Sequence, residues 1–289
     1  MDVTMGLLAA VFWGVTDFLV GINARLFGVR QSVFFGQLIG LIVMSLMLLM
    51  SSRHLIRLID APLLAIMLGL LAAVCAVAGA LALANAFAIG KTALVAPLVT
   101  SYGVVTTLIA WVAGETLTNW QFTGVFICVC GVLLVSRRPT ARNHTPVRQG
   151  RASIIYALAA ALCYGTSLWL QGTYALPALG PINMLWLIYI IGVAVLWREV
   201  IPMLSRQSAI QLKAYGTLCA ASLCNLSGFA AFSLGAMSGS VSIVTVISTL
   251  SGGIASVLGY IFHSERLTAL QVSGITFVLI GAGLIHLYG

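Results

Sequence analysis

Charge is what this sequence has least of. Only 7% of its 289 residues are Asp, Glu, Lys or Arg, and six are acids, where a soluble domain carries roughly a quarter charged residues. That scarcity excludes an ordinary water-soluble globule, and the 61% hydrophobic content reads as a membrane protein. A cysteine framework is also missing. Cys75, Cys128, Cys130, Cys163, Cys219 and Cys224 all fall inside apolar runs, without the Cys/His spacing of a zinc site, so they read as small core hydrophobes. Cys128 and Cys130 point two ways around one helix, and no metal site is expected. His54, His144, His263 and His286 are scattered, whereas an integral-membrane enzyme acting on lipids needs clustered acids, histidines or metal ligands at one face. No Gly-x4-Gly-Lys-Ser/Thr loop is present, which leaves no nucleotide-driven mechanism and no expected cofactor. No basic stretch precedes the first apolar run, and the first basic residue is Arg25. A cleavable signal peptide has the reverse order, so residues 4–24 read as a first span.

What the chain does have is apolar runs of the length, about 20 residues, that an α-helix needs to cross a hydrocarbon core. Charged and Pro/Gly punctuation divides them into ten spans: 4–24, 32–51, 62–87, 92–113, 119–136, 152–172, 181–201, 213–235, 240–262 and 268–287. Arg137 to Arg151 is the one long polar segment, with five arginines, Pro139 and Pro146. It reads as a linker between a first unit, 1–136, and a second, 152–289.

The halves repeat one another. Glu115/Glu265, Leu117/Leu267, Thr118/Thr268, Gln121/Gln271, Gly124/Gly274 and Gly131/Gly281 recur at one offset of 150 residues. Ala9-Ala10-x-x-Trp13-Gly14-x-Thr16 is echoed by Ala160-Ala161-x-x-Tyr164-Gly165-x-Ser167 at an offset of 151. Such self-similarity decides the fold. Five spans per half is an odd number, so the second half enters the membrane the other way up. Inverted repeats commonly serve secondary transporters, with a site near the midplane. The net charge of +8 lies in the gaps between spans, so it concerns orientation and not nucleic acid. The odd-numbered loops hold twelve basic residues, and the even ones only Arg53 and Arg57. By the positive-inside rule the linker is cytoplasmic and both termini lie outside, in the plasma or bacterial inner membrane.

Two five-span units, each ending in Gly/Ser-Glu-x-Leu-Thr-x-x-Gln-x-Thr/Ser-Gly-x6-Gly, resemble the drug/metabolite transporter superfamily, in its ten-helix EamA-like branch. The resemblance covers the full length. It implies an all-α integral membrane protein with two inverted five-helix repeats around a central cavity, the fifth and tenth helices standing outside as supports. It also implies export of amino acids or other small metabolites. The repeated stretch itself fits a supporting role: glycines seven residues apart share a helix face, and small residues let helices approach closely in lipid. Glu115 and Glu265 read as helix caps or dipole partners, or as a gate or proton site.

Asp17 is the one carboxylate well inside a span, and an intramembrane acid is a functional candidate by default. It can meet a substrate ammonium or exchange a proton; alternatively it is an entry acid or a partner of Arg25. Its counterpart in the second half is Leu168. Gln37, Asn85, Asn225 and the hydroxyl-rich stretch from Ser238 to Ser256 are the other polar groups within spans, serving either as glue between helices or as substrate contacts. Trp13 and Tyr164 occupy matched positions deep in the first helices of the halves and are candidates to line the cavity, as is Tyr102. Trp111, Trp120 and Trp197 read as interfacial anchors. Pro97 is a candidate hinge through its lost hydrogen bond, as are Gly14, Gly165, Gly252 and Gly253, unless the glycines serve close packing. The expected partners are a small-molecule substrate, the bilayer and, if Asp17 is coupled, protons; no nucleic acid is expected. The expected function is export of small metabolites, amino acids first among them, by alternating access. A drug or amine efflux carrier is the nearest alternative; a lipid-modifying membrane enzyme and a non-transporting scaffold belong to other classes.

Overall fold

The computed structural model describes residues 2–50, 52–114, 116, 118–136, 147–199, 212–238, 247–263 and 267–287, all of them in helices or short connections. The first half holds α1 (Asp2–Phe27), α2 (Val29–Leu49), α3 (Ser52–Ile59), α4 (Leu63–Ile89), α5 (Thr92–Val99), α6 (Tyr102–Val112) and α7 (Asn119–Ser136). The second holds α8 (Val147–Leu170), α9 (Leu176–Leu196), α10 (Leu212–Ser238), α11 (Ser251–His263) and α12 (Ala269–Leu287). A π-helical turn, Gln171–Ala175, joins α8 to α9, and a 3-10 turn, Trp197–Glu199, follows α9.

The long helices are apolar enough to span a bilayer. Thr4–Phe27, Val29–Leu49, Leu63–Ile89 and Thr92–Val112 each qualify, and α8 with α9 form one apolar stretch of 51 residues, enough for two crossings at about 20 residues each. Large hydrophobics such as Leu49, Leu64, Val112 and Phe126 are exposed, as lipid-facing side chains must be. This is an integral membrane protein of ten spans in two repeats. Several ends differ from expectation. Helix α8 begins right after Pro146, so Arg148 and Arg151 belong to a helix and not to the linker; residues 137–146 lie outside the described residues. The short α3 was not foreseen. Arg57 on it donates to Pro177 O (2.8 Å) and Ala178 O (2.9 Å), and Asn183 Nδ2 donates to His54 O (2.9 Å). These bonds tie α3 to the start of α9, where Gly180 breaks helical geometry with φ 79°.

The two halves interlock. The largest interfaces are α7–α12, α1–α10, α4–α8 and α2–α9, followed by α1–α11, α5–α11, α4–α9 and α6–α8, and each joins one half to the other. They obey an approximate two-fold: α1–α10 is the image of α8–α4, and α1–α11 that of α8–α6. The α7–α12 pair accounts for the repeated signature. Thr118 N–H donates to Gln121 Oε1 (2.7 Å) while Gln121 N–H donates to Thr118 Oγ1 (3.3 Å), and Thr268 and Gln271 do the same at 3.1 and 3.3 Å. Each Thr-x-x-Gln is a capping box that satisfies donors at a helix start. Glu115 and Glu265, proposed as caps or gate, lie outside the described residues. Beyond the boxes the backbones touch. A Cβ at Gly131 would lie 2.7 Å from Gly274 O, and one at Gly281 would lie 2.6 Å from Gly124 O.

The fourth span is broken at Thr100-Ser101, between α5 and α6. Pro97 has no N–H to offer Ala93 O, and Ser256 Oγ of α11 lies 3.0 Å from that oxygen and 2.7 Å from Gly252 O, sharing its proton with both. The ninth span turns at the equivalent Thr249-Leu250 without a proline in the described segment. A Cβ at Gly252 would meet Thr100 Cγ2 at 2.7 Å and Pro97 Cα at 3.2 Å, so the candidate hinges Pro97 and Gly252 touch at the α5–α11 crossing. Gly253 meets only Leu279, at 3.7 Å. Gly14 and Gly165 lie within continuous helices at tight crossings: a Cβ at Gly14 would be 2.7 Å from Ile254, and one at Gly165 2.6 Å from Val105. Close packing accounts for both.

Candidate functional site

A cavity of about 230 Å³ lies between α1, α2, α4, α6, α8, α9 and α10, with Val99 at the end of α5 and Ser251 at the start of α11 on its border. Its position follows from the crossings. Trp13 packs on Gly228 of α10, where a Cβ would lie 2.5 Å from its ring, and Tyr164 packs on Gly79 of α4, at 3.1 Å. Matched glycines thus let matched aromatic rings lie flat against the neighbouring helix and border the cavity. Trp13 also stacks edge-on against Phe229 (centroids 5.1 Å, 75°) and near Phe232 (5.6 Å). Thr16 Oγ1 reaches Ala221 O (3.5 Å) and its counterpart Ser167 Oγ donates to Ala72 O (2.7 Å), fixing α1 on α10 and α8 on α4.

Asp17 lines the cavity, ten residues before the end of α1 and so roughly 15 Å inside the helix at about 1.5 Å per residue. It lies within electrostatic reach of Tyr102 and Tyr164. Among the described residues no cation pairs with it. Arg25, the expected alternative partner, instead donates to Phe87 O (2.9 Å) and Gly90 O (2.7 Å) and closes the C-terminal end of α4. An acid in this setting is tolerated because it faces a cavity that water or solute can fill.

Of the six expected substrate contacts, Trp13, Asp17, Tyr102, Tyr164 and Asn225 all border the cavity. Asn85 does not: its Nδ2 donates to Leu81 O (2.8 Å) one turn back, so the amide is satisfied within α4. The hydroxyl-rich expectation for the ninth span falls largely on residues 239–246, outside the described residues; Ser248 shares a hydrogen bond with Tyr102, and Ser251 borders the cavity.

The α2–α9 crossing was less visible in the sequence. There Tyr189 presses on Gly40 and Gln37 presses on Gly192, where a Cβ would lie 2.5 Å from Gln37 Oε1. Both side chains border the cavity. Asn225 Nδ2 approaches Tyr189 OH at 3.5 Å. Gln37 Oε1 is buried without a hydrogen-bond partner among the described residues. Gln37 was among the polar residues expected within spans; Gln171 was not, and its Nε2 donates to Ser167 Oγ (2.9 Å) at the start of the π-turn. The missed signal was the pairing of Gln37 with Gly40 and of Tyr189 with Gly192, each three residues apart.

The arrangement is a small, mostly apolar chamber whose described lining has one carboxylate, four amides (Asn23, Gln37, Gln171 and Asn225) and several aromatic rings, with no metal-binding cluster among the described residues. It is suited to holding a small solute and supplies no evident nucleophile and base pair. No curated protein matches the sequence. A solved crystal structure covers 99% of this chain with 96% of its own, at 12% identity and a TM-score of 0.60, a likeness of fold alone. The EamA-like transporter family model matches residues 2–137 and again 151–287, so that both repeats carry the family pattern over nearly the whole length. The chain belongs to the EamA-like transporter family, and hence to the drug/metabolite transporter superfamily of membrane carriers.

Proposed function

We propose that this protein exports a small, amine-bearing organic metabolite by alternating access. Asp17 carries the reading: a carboxylate at mid-helix, facing a cavity and lacking a cation among the described residues, is suited to a substrate ammonium or a proton. The cavity volume favours a metabolite over a drug, since pockets for drug-sized ligands run to about 300–1,000 Å³. Amino acids and their amine relatives are the classes of that size. With no nucleotide-binding loop in the sequence, the driving force is a gradient, and exchange of a proton for the ammonium at Asp17 gives antiport.

The interlocked interfaces support motion of mixed bundles, not of sequence halves. One bundle holds α1, α10 and α11; its two-fold image holds α8, α4 and α6. They meet where Gly252 of α11 lies on Pro97 and Thr100 at the α5–α6 break, a close backbone approach and so a natural pivot. The bias of twelve basic residues against two supports a cytoplasmic linker, external termini and residence in the plasma or bacterial inner membrane.

The test is uptake into proteoliposomes of labelled amines, amino acids and aromatic solutes, with and without a proton gradient. Saturable flux of at least one amine-bearing solute above that of empty vesicles is expected. Absence of flux for every solute in either gradient direction would refute the carrier reading.

A further inference from the structure

The two walls of the cavity are equivalent by symmetry and opposite in chemistry. On the α1–α10 wall stand Asp17, with no cation partner among the described residues, Ser222, whose hydroxyl donates to Leu218 O (2.9 Å), and Asn225, whose Nδ2 approaches Tyr189 OH. Their counterparts in the other half are Leu168, Ala73 and Ala76. Gln37 of α2 adds an amide with no hydrogen-bond partner for its Oε1 among the described residues. The α8–α4 wall does contain Ser167 and Gln171, but Ser167 donates to Ala72 O and Gln171 Nε2 donates to Ser167, so both are engaged within the wall. What that wall offers a solute is the Tyr164 ring with Leu168, Ala76, Ala80 and Leu83. A scaffold that matches its glycines pair by pair, yet differs at these facing positions, imposes one orientation on whatever it holds.

Charge narrows the class further. The described residues bordering the cavity include one acid and no Lys, Arg or His. A buried charge needs a partner of opposite sign, so a solute carboxylate would add an unpaired anion beside Asp17. Trp13 lies one turn before Asp17, and aromatic faces attract ammonium groups.

Resting on the carrier reading above, we infer that the solute is a monovalent organic cation, an amine without a free carboxylate. Its ammonium sits at Asp17 between α1 and α10, and its apolar tail lies against Leu168, Ala76 and Ala80.

Three labelled probes with one tail separate the alternatives in proteoliposomes: 2-phenylethylamine, phenylalanine and 2-phenylethanol. The amine is expected to compete and to be carried at least tenfold better than the zwitterion, with no saturable flux of the alcohol. Asp17→Asn should cut apparent affinity for the amine at least tenfold. Ala76→Leu and Ala80→Leu, read separately in case one fails to fold, should shift preference from phenylethylamine toward methylamine and ethylamine. Phenylalanine carried as well as the amine overturns the cation assignment and leaves the carrier reading intact. An unchanged affinity in Asp17→Asn overturns it too. Equal loss of short and long amines in both alanine variants overturns the orientation. No flux of any solute, amino acids included, overturns the carrier reading itself.

Discussion

Trp13 occupies the space that a side chain on Gly228 would need: a Cβ there would lie 2.5 Å from the indole Cδ1. Gly228→Ala must therefore push the ring toward Phe229 and the cavity. Overpacking of this kind costs about 1–3 kcal/mol, and uptake should fall several-fold. Tyr164 on Gly79 has more room, at 3.1 Å, so Gly79→Ala should do less harm to both stability and uptake. Thermal melting in detergent and uptake assays rank the two; an inverted order would contradict the packing described.

The α7–α12 pair should respond to capping without any effect on the cavity. Gln121→Ala and Gln271→Ala each remove half of a capping box and should lower stability by about 0.5–2 kcal/mol, with uptake per folded molecule unchanged. Gly131→Leu and Gly281→Leu place bulk where the gap to the facing backbone is 2.7 and 2.6 Å. Neither should yield a monodisperse protein, as gel filtration would reveal.

Ser256 and Pro97 should be energetically coupled through Ala93 O. Ser256→Ala removes a hydroxyl from that carbonyl, a change of about 0.6 kcal/mol in measured membrane examples and up to about 2 in peptide models. Pro97→Ala returns an N–H that can bond the same oxygen. The double variant should be less destabilised than the sum of the single ones, and strict additivity in a double-mutant cycle would show that the two do not share a carbonyl.

Arg57 holds α3 against Gly180, whose φ is 79°. Gly180→Ala should destabilise by about 1–3 kcal/mol, the cost of its positive-φ, extended conformation for a residue with a Cβ. Arg57→Ala removes two bonds to carbonyls of Pro177 and Ala178 and should speed amide exchange in α3 while leaving α7 and α12 unaffected. Exchange measured by mass spectrometry decides it.

The repeat was legible because it is written in residues with a local job. Thr118 and Gln121 cap the helix they begin, and Gly124 and Gly131 recur on one face whatever lies opposite. Trp13 and Tyr164 were legible for the same reason, through matched positions. Asn85 was misplaced because periodicity gives the angle between residues on a helix and not which side faces the cavity; only the packing of α4 on α8 and α9 fixes that. Gln37 and Tyr189 are equivalent in space and unlike in chemistry, so alignment of the halves passes over them. Helix α3 is eight residues long, too short to register as a span, and its partners lie more than a hundred residues away in α9.

That distance is the rule in this molecule, and it bears on how the protein is made. Helix α1 leaves the ribosome first, yet its main neighbours, α10 and α11, come after residue 211. Until then Asp17 waits in the bilayer beside segments that are not its final companions, and its carboxylate must be sheltered by water, lipid headgroups or the insertion machinery. Assembly cannot proceed half by half. The last helices to arrive must enter between those already present, so a ribosome that stops after the linker releases five spans whose largest interfaces do not yet exist.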